Sequence, residues 1–558
     1  MSASPPAPVE PHAAAPPRGR IAAIALALAL VTVLFRVATL GGSLGGFDDD
    51  HFVSFAYAKQ VQAGARPVRD FQGVALQGVW PSLGLAASAG AQALFGNNLR
   101  TEGWLTAAGM GVGAALTFVA AARLAPLSWS VAGSVLSVLL APKLYAYSKV
   151  LVLAAAAVLL IAYVRRPSAA RASARAVMGA AAFLYRHDFA VYVGAGTLAA
   201  FAAVRVLGTA RPFAHAAIFA ALTLALLTPS LLFVQRHHGL PEYFTFAVEN
   251  STREAARTEL SVPVFSMAPD DVEQNAVTWL YAVFMLLPIA AVVRAVRART
   301  PVEPWRRAAL IAIAATAVAA NLFMLRANLA ARFGDVAPLA AVLGAALCVP
   351  WARGAGGARG HARLAATLAA LAMTAAAVWV VGSVGRELRT AGWPNWPLGL
   401  LHRVQDVSSD LARLPAAGWE DPDASDAMLL AQYLNRCTHP RDRVFQLSYT
   451  PEILPLAGRL FAGGIAMLVT TANTPESEAF VLSRLQAESV PIVLAEPDQL
   501  EPLAGRGDPY FPRLHAYLRG GYEDVGTLRA TGEDVHILAT TTRVPAGTFR
   551  DTGLPCFR

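Results

Sequence analysis

Three adjacent carboxylates, Asp48, Asp49 and Asp50, stand in the stretch Gly46-Phe47-Asp48-Asp49-Asp50-His51-Phe52. They follow an apolar run over 21–40, which is long enough to span a bilayer, so the acids lie close to a membrane surface. A carboxylate within hydrogen-bond reach of a hydroxyl can take its proton as the oxygen attacks carbon. Three together could instead hold a divalent cation through oxygen ligands, and the plain alternative is a solvated acidic loop. Acids so near hydrocarbon favour a functional reading. Asp70, in Arg69-Asp70-Phe71, is a candidate second acid that orients an acceptor, or else a cap on a local turn.

Cations that could hold a phosphate fall in three further places. Lys149 follows Lys143, Tyr145 and Tyr147; Arg186-His187-Asp188 forms a short polar turn; Arg332 follows Arg326 and Asn328 and precedes Asp335. Arginine suits bidentate phosphate contact, while Arg186 with Asp188, and Arg332 with Asp335, could simply neutralise each other. His187 reads as a packed or hydrogen-bonded residue rather than a metal ligand. Arg253 and Arg257 could touch phosphate or acceptor, although Glu249 and Glu254 offer them helical ion-pair partners.

The elements that must position these groups are membrane helices. Of 558 residues, 55% are hydrophobic and 15% charged, where a soluble chain carries about 25% charged residues. The net charge of +9 is not a nucleic-acid signal, because the arginines cluster between apolar runs. Beyond the first run, apolar stretches lie near 103–122, 127–142, 148–164, 176–185, 189–204, 214–234, 276–293, 308–325, 336–351 and 364–384. Basic clusters occur at Arg165/Arg166/Arg171/Arg175, Arg205/Arg211, Arg294 to Arg307 and Arg353 to Arg363. Assigning them to the cytoplasm gives eleven crossings, with the N-terminus inside and the C-terminal segment outside. The stretch 81–96 then dips into the membrane or lies in its interface, and 176–185 is the shortest crossing. Residues 52–61 read as an amphipathic helix lying on the membrane.

Three units follow: a Pro/Ala-rich disordered tail over 1–17, a membrane domain over 18–385 with external loops 41–100 and 235–275, and an external domain over 386–558. In the last, 391–425 reads as connection. Helices over Asp426–Cys437 and Pro475–Ser489 alternate with strands Arg443–Leu447, Pro491–Leu494 and Asp534–Thr540, which implies a small α/β domain. Cys437 and Cys556 share that segment, where a disulfide is permitted. Cys348 lies in an apolar run.

The order of these features resembles the GT-C superfamily of membrane glycosyltransferases, nearest the bacterial relatives of protein O-mannosyltransferases and of the lipid A aminoarabinose transferase. The acids after the first span carry the likeness, with Gly64, Pro67, Arg69-Asp70-Phe71, Trp80-Pro81 and Leu94-Phe95-Gly96. The resemblance implies a catalytic acid in the first external loop, which the distance to Gly64 maps to Asp49. Three Asp stand where the family has an Asp-Glu pair, so Asp48 and Asp50 stay in contention. It also implies a polyprenyl-phosphate sugar as donor, held at the outer membrane surface by Lys149, Arg186, His187 and Arg332, with loop 235–275 covering it. The acceptor would be a glycan, lipid or protein, by inverting transfer at the external face of a bacterial inner membrane. Metal dependence differs within the family. Two other classes compete: a flippase of lipid-linked sugars, disfavoured by the lack of an internal repeat, and a non-catalytic envelope-assembly protein.

Overall fold

The computed structural model describes residues 17–40, 47, 49–71, 82–140, 149–206, 212–257, 265, 268, 272–297, 303–325, 329–348, 385–415, 426–468, 475–503, 511–530 and 532–558. Thirteen helices come first: α1 (Arg18–Thr39), α2 (Asp49–Gln62), α3 (Ser82–Phe95), α4 (Leu99–Ala121), α5 (Leu127–Leu139), α6 (Lys149–Arg165), α7 (Ala169–Tyr185), α8 (His187–Val206), α9 (Pro212–His237), α10 (Leu240–Arg257), α11 (Val272–Arg297), α12 (Pro304–Met324) and α13 (Leu329–Leu347). Among the described residues, six are long and apolar enough to cross a membrane: α1, α4, α8, α9, α11 and α12. The shorter α5, α6 and α7 pack among them, as does α13. The stretch 364–384, expected as the eleventh crossing, lies outside the described residues.

Lipid offers no hydrophobic drive between spans, so close approach of small residues joins them. A Cβ on Gly111 of α4 would stand 2.6 Å from Val33 Cγ2 and 2.7 Å from the Ala29 carbonyl oxygen of α1. The missing side chain is what lets the two backbones meet. Asn98 caps α4 by accepting from the Thr101 N–H at 3.0 Å, and Ser168 caps α7 by accepting from Arg171 N–H. That cap starts α7 at Ala169, well before the crossing expected at 176–185. Arg175 is thereby drawn inside the bundle and not into a loop. Its guanidinium donates to the Ala156 carbonyl at 2.8 Å, to the Val193 carbonyl at 3.2 Å and to Thr197 Oγ1.

After the bundle come α14 (Gly385–Thr390), α15 (Leu398–Arg413) and the C-terminal domain: α16 (Asp426–Cys437), β1 (Arg443–Leu447), α17 (Ile453–Ala457), β2 (Leu460–Phe461), α18 (Pro475–Ala487), β3 (Ile492–Ala495), α19 (Pro497–Leu503), α20 (Pro512–Gly521), β4 (Tyr522–Ala530), β5 (Glu533–Thr540), β6 (Gly547–Phe549) and β7 (Leu554–Cys556). The five-stranded sheet runs β2-β1-β3-β5-β4. β1 is parallel to β2 and β3, whereas β5 is antiparallel to β3 and β4. Every residue of β3 is buried, as its continuous apolar run requires. Cys437 and Cys556 form a disulfide that ties α16 to β7.

Three local expectations change. Residues 391–425, read as connection, contain α15, whose Leu400, Val404, Val407 and Leu411 recur at helical spacing and are buried. Loop 235–275 contains the 18-residue α10. Helix α2 does not lie on a surface: Phe52, Val53, Phe55, Ala56, Tyr57 and Ala58 are all buried. The C-terminal domain covers the side that a membrane would have met, through α17 and β2. One hydrophobic core therefore runs from Phe35 and Val37 of α1 through α2 to Val444, Ile492 and Ile537 of the sheet, across the boundary expected at residue 385.

Candidate active site

Leu40, at the end of α1, and Phe47, just before the acids, are anchored on the bundle. Both pack over Gly103 of α4, where a Cβ would meet Leu40 Cδ1 at 2.6 Å and Phe47 Cζ at 3.5 Å. Phe47 is buried against the rings of His51 and Phe52, with centroids 5.2 and 5.9 Å away. The backbone of Asp49 and Asp50 opens α2 directly after this anchor. Asp48, and the side chains of Asp49 and Asp50, lie outside the described residues.

The rest of α2 is held from the C-terminal domain. Gln60 donates to the Phe461 carbonyl at 2.9 Å and accepts from Arg443 at 3.0 Å. Tyr57 is enclosed by Phe71 and Phe461, with centroids 5.1 and 4.9 Å away, and burial raises its pKa. Lys59 donates to the Pro455 carbonyl at 2.9 Å and sits over Phe55. Burial, and then repulsion from Arg459, lowers its pKa to about 8. Gly64, at φ +89°, ends the helix in a conformation that favours glycine.

Asp70 closes the same loop. Its Oδ2 accepts from the Arg66 N–H at 2.8 Å and from Arg69 Nε at 2.8 Å, while Arg484 of α18 approaches Oδ1 at 3.6 Å. Arg484 also donates to the Arg69 carbonyl at 2.6 Å. Burial opposes ionisation of Asp70, but these arginines and the N–H outweigh it, and its pKa lies below the usual carboxylate value. Asp70 thus serves as a turn-closing clamp between the first loop and the C-terminal domain.

Lys149 and Arg332 come together. The first residue of α6 and the first turn of α13 both aim at Asp335, at 3.1 Å from Lys149 and 3.8 Å from Arg332. The Lys149 side chain is only 2% exposed. A small cavity adjoins this cluster, lined among others by Arg36 and Thr32 of α1, Met110 and Gly113 of α4, Val150 beside Lys149, and Pro338 one turn from Asp335. Arg36, in the last turn of α1, is buried and donates to the Val138 carbonyl. It is the cation that sequence reasoning passed over. Its signal was an arginine four residues inside the end of an apolar run, where a charge needs a reason. Arg484, far away in sequence, carried no signal.

Arg186 instead pairs with Asp188 at 2.9 Å in the turn between α7 and α8, with Tyr192 donating to Asp188 at 3.1 Å. Tyr192 packs on Phe323, next to the last residue of α12. His187 contacts the Tyr243 hydroxyl at 3.3 Å and the rings of Phe183 and Phe244, so α10 is seated on this turn. Arg253 and Arg257 fall in the later turns of α10, and their side chains lie outside the described residues. Lys143, Tyr145, Tyr147, Arg326 and Asn328 also lie outside them. The starts of α6, α8 and α13 and the ends of α1, α7 and α12 therefore share one end of the bundle, with two cation clusters and the helix that carries Asp49. A divalent cation at the three Asp rests on side chains outside the description. Among the described residues no three of His, Cys, Asp and Glu come together.

The fold as a whole, a helical bundle followed by a C-terminal α/β domain, has counterparts among solved structures. Two solved structures share it: ArnT from Cupriavidus metallidurans in the apo state and the same protein bound to undecaprenyl phosphate. Each is 14% identical in sequence, with a TM-score of 0.51, and the match covers 94% of this chain. It covers 99% of the bound chain and 98% of the apo chain. No family model matches the chain, and no curated protein is similar to it in sequence.

Proposed function

We propose that this protein is a membrane glycosyltransferase that moves a sugar from a polyprenyl-phosphate donor to a hydroxyl of a glycolipid, polysaccharide or protein. The observation that carries the reading is the joint one: a fold shared with ArnT over 94% of the chain, and a buried cation cluster at the end of the bundle that bears Asp49. Lys149 and Arg332 meet at Asp335, and Arg36 lines the cavity beside Val150 and Pro338, so these cations stand where a donor phosphate would need them.

In the reaction, Asp49 accepts the proton of the acceptor hydroxyl as that oxygen attacks the anomeric carbon. The bond from anomeric carbon to phosphate oxygen breaks, and the polyprenyl phosphate leaves with the electron pair. Lys149 and Arg332 stabilise the charge gathering on that oxygen, and burial of Lys149 strengthens its contribution. Displacement from the opposite face inverts the anomeric centre. Asp48 and Asp50 are the neighbours that could share the base role. Asp70 positions the loop through Arg484, and Arg186, held by Asp188, flanks the donor beside His187 and α10. Arg253 and Arg257 would reach the acceptor from the far end of α10. The disulfide fits a C-terminal domain on the external, oxidising side of a bacterial inner membrane.

The test is transfer by the purified full chain in nanodiscs, with a panel of polyprenyl-phosphate sugars and membrane-extract acceptors. Asp49→Asn should lose about 100-fold or more, the scale of general base catalysis. Undiminished transfer would move the base to Asp48 or Asp50. Donor carried across the bilayer without turnover would support a flippase instead.

A further inference from the structure

The opposite end of the bundle carries a second charge arrangement that sugar transfer does not use. There the chain turns between α4 and α5, between α6 and α7, and into α12. The sequence has no Asp or Glu between Glu102 and Asp188, none between Asp188 and Glu242, and only Glu303 between Glu273 and Asp335. The arginines at these turns therefore have almost no acids near them in the sequence, Glu303 excepted.

Topology preference alone would put solvated arginines at such turns. These are placed more closely. Arg123, after α4, is half-buried and donates to the Val158 carbonyl of α6 at 3.4 Å. Burial lowers its pKa, and the nearby charges of Arg165 and Arg171 lower it further. Arg171 is fastened to the Arg166 carbonyl across the α6–α7 turn. Arg165 lies over the Trp305 ring at 5.4 Å, and Arg306 lies over the same ring at the same distance. The Trp305 indole N–H donates to Glu303 at 2.9 Å, and Arg306 pairs with Glu303 at 3.2 Å. Glu303 is thereby held by Trp305 and Arg306, and among the described residues no carboxylate forms an ion pair with Arg123, Arg165 or Arg171. Trp129, 43% exposed in the first turn of α5, adds a second indole at this end. Indoles at a span end sit at headgroup depth.

We propose that Arg123, Arg165 and Arg171 form a binding site for the headgroup of an anionic phospholipid, with Trp305 fixing its depth. Mutually repelling guanidinium groups at the lipid–water boundary are relieved by phosphodiester oxygens, which each can meet with paired donors. A lipid source fits better than a free anion, because α9, packed on α7, is an apolar candidate span that leaves Phe213, Leu224 and Leu226 exposed as a surface for acyl chains. A headgroup with two phosphates matches three cations better than a headgroup with one.

The test uses the delipidated full chain in detergent, titrated with diphosphatidylglycerol, phosphatidylglycerol or phosphatidylcholine. Native mass spectrometry counts bound lipid, and a thermal melt reads stabilisation. The wild type should bind in that order of affinity. Arg123→Gln/Arg165→Gln/Arg171→Gln should bind the two-phosphate lipid roughly 100-fold more weakly, from about tenfold or less per arginine near a charged surface. A control with the same charge change, Arg413→Gln/Arg519→Gln/Arg529→Gln, should bind as wild type. If the triple variant does not fold, Arg171→Gln alone should still weaken binding several-fold. Equal binding by the Arg171→Gln and wild-type chains overturns the proposal. So does equal stabilisation by phosphatidylcholine, or full competition by millimolar inorganic phosphate.

Discussion

Replacing Asp335 by Asn takes a carboxylate away from two cations at once. Lys149 is 2% exposed and Arg332 is 19% exposed, so water does little to make good the loss. Breaking a buried pair by removing one partner costs about 3–5 kcal/mol. The reverse change, Lys149→Met, leaves Asp335 with Arg332 at 3.8 Å and with 15% of its own side chain exposed. It should cost less, about 1–2 kcal/mol. The order of severity is therefore Asp335→Asn above Lys149→Met, and the double variant should recover part of the loss, with a coupling of about 2–3 kcal/mol. The assay is unfolding of the full chain by dodecyl sulfate in mixed micelles, with all four members of the cycle. A second arm adds polyprenyl phosphate. Asp335→Asn should gain more from it than wild type does, because the anion takes the place of the carboxylate; saturation at about 100 times Kd gives about 2.7 kcal/mol. Asp335→Asn as stable as wild type, or a coupling below about 0.5 kcal/mol, would refute the buried-cluster reasoning. No added stabilisation by polyprenyl phosphate would refute only its role as a phosphate site.

Three more expectations follow from the loop and the domain that covers it. Lys59 binds its proton less tightly in the folded chain, at about 8 against an ordinary 10.5, so between those values the unfolded chain holds the extra proton and stability rises with pH. Lys59→Met should abolish that rise in denaturant titrations run from pH 7 to pH 11. Asp70 has the opposite sign: its lowered pKa contributes stability above the ordinary carboxylate range, lost as pH falls through the folded value. Arg484→Ala should remove much of that acid dependence and make residues 64–71 more open to protease, while a digestion pattern like the wild type's would count against the clamp. Cys437 and Cys556 are 119 residues apart. Cys437→Ser/Cys556→Ser should destabilise the C-terminal domain by about 3–5 kcal/mol, and domain melting unchanged by the double substitution would show the bridge to be dispensable.

Much of the bundle was legible because apolar length and arginine placement are local signals. The runs over 103–122, 189–204 and 308–325 each return as a helix with nearly those limits. In the C-terminal domain, β1 and β3 were visible as short apolar strands, whereas β4 was not. Tyr522–Ala530 has four exposed positions and pairs only with β5 at the sheet edge, and its buried positions are confined to Leu528 and Ala530 at its end, too few to show an alternating pattern. Helix α15 hid behind the Trp and Pro residues that precede it. Lys149 and Arg332 were both found from their types and their place in the chain, and Asp335 as a partner for Arg332, but the bond from Lys149 to Asp335 was not, because 186 residues separate them and only tertiary packing joins them. The same limit hid the partners of α2. Gln60 and Phe461 are 401 residues apart, and nothing in the pattern of 49–62 announces a covering domain.

That separation bears on how the protein is made. Ribosomes release α2 long before β1 and β2 exist, so the helix that presents Asp49 emerges with its apolar sides lacking Phe461 and the sheet behind it. Its native seat is complete only when the segment containing Arg443, Phe461 and Ala466 has been synthesised and folded on the same side of the membrane. A chain stopped before residue 426 would carry every apolar span described here, together with the Lys149 cluster, and still lack the surface that orders its first loop. Such a product would hold the bundle without the partners of α2. Under the proposed function, assembly of the bundle and acquisition of activity would then be separate events in the life of the chain, with the second waiting on the C-terminal domain.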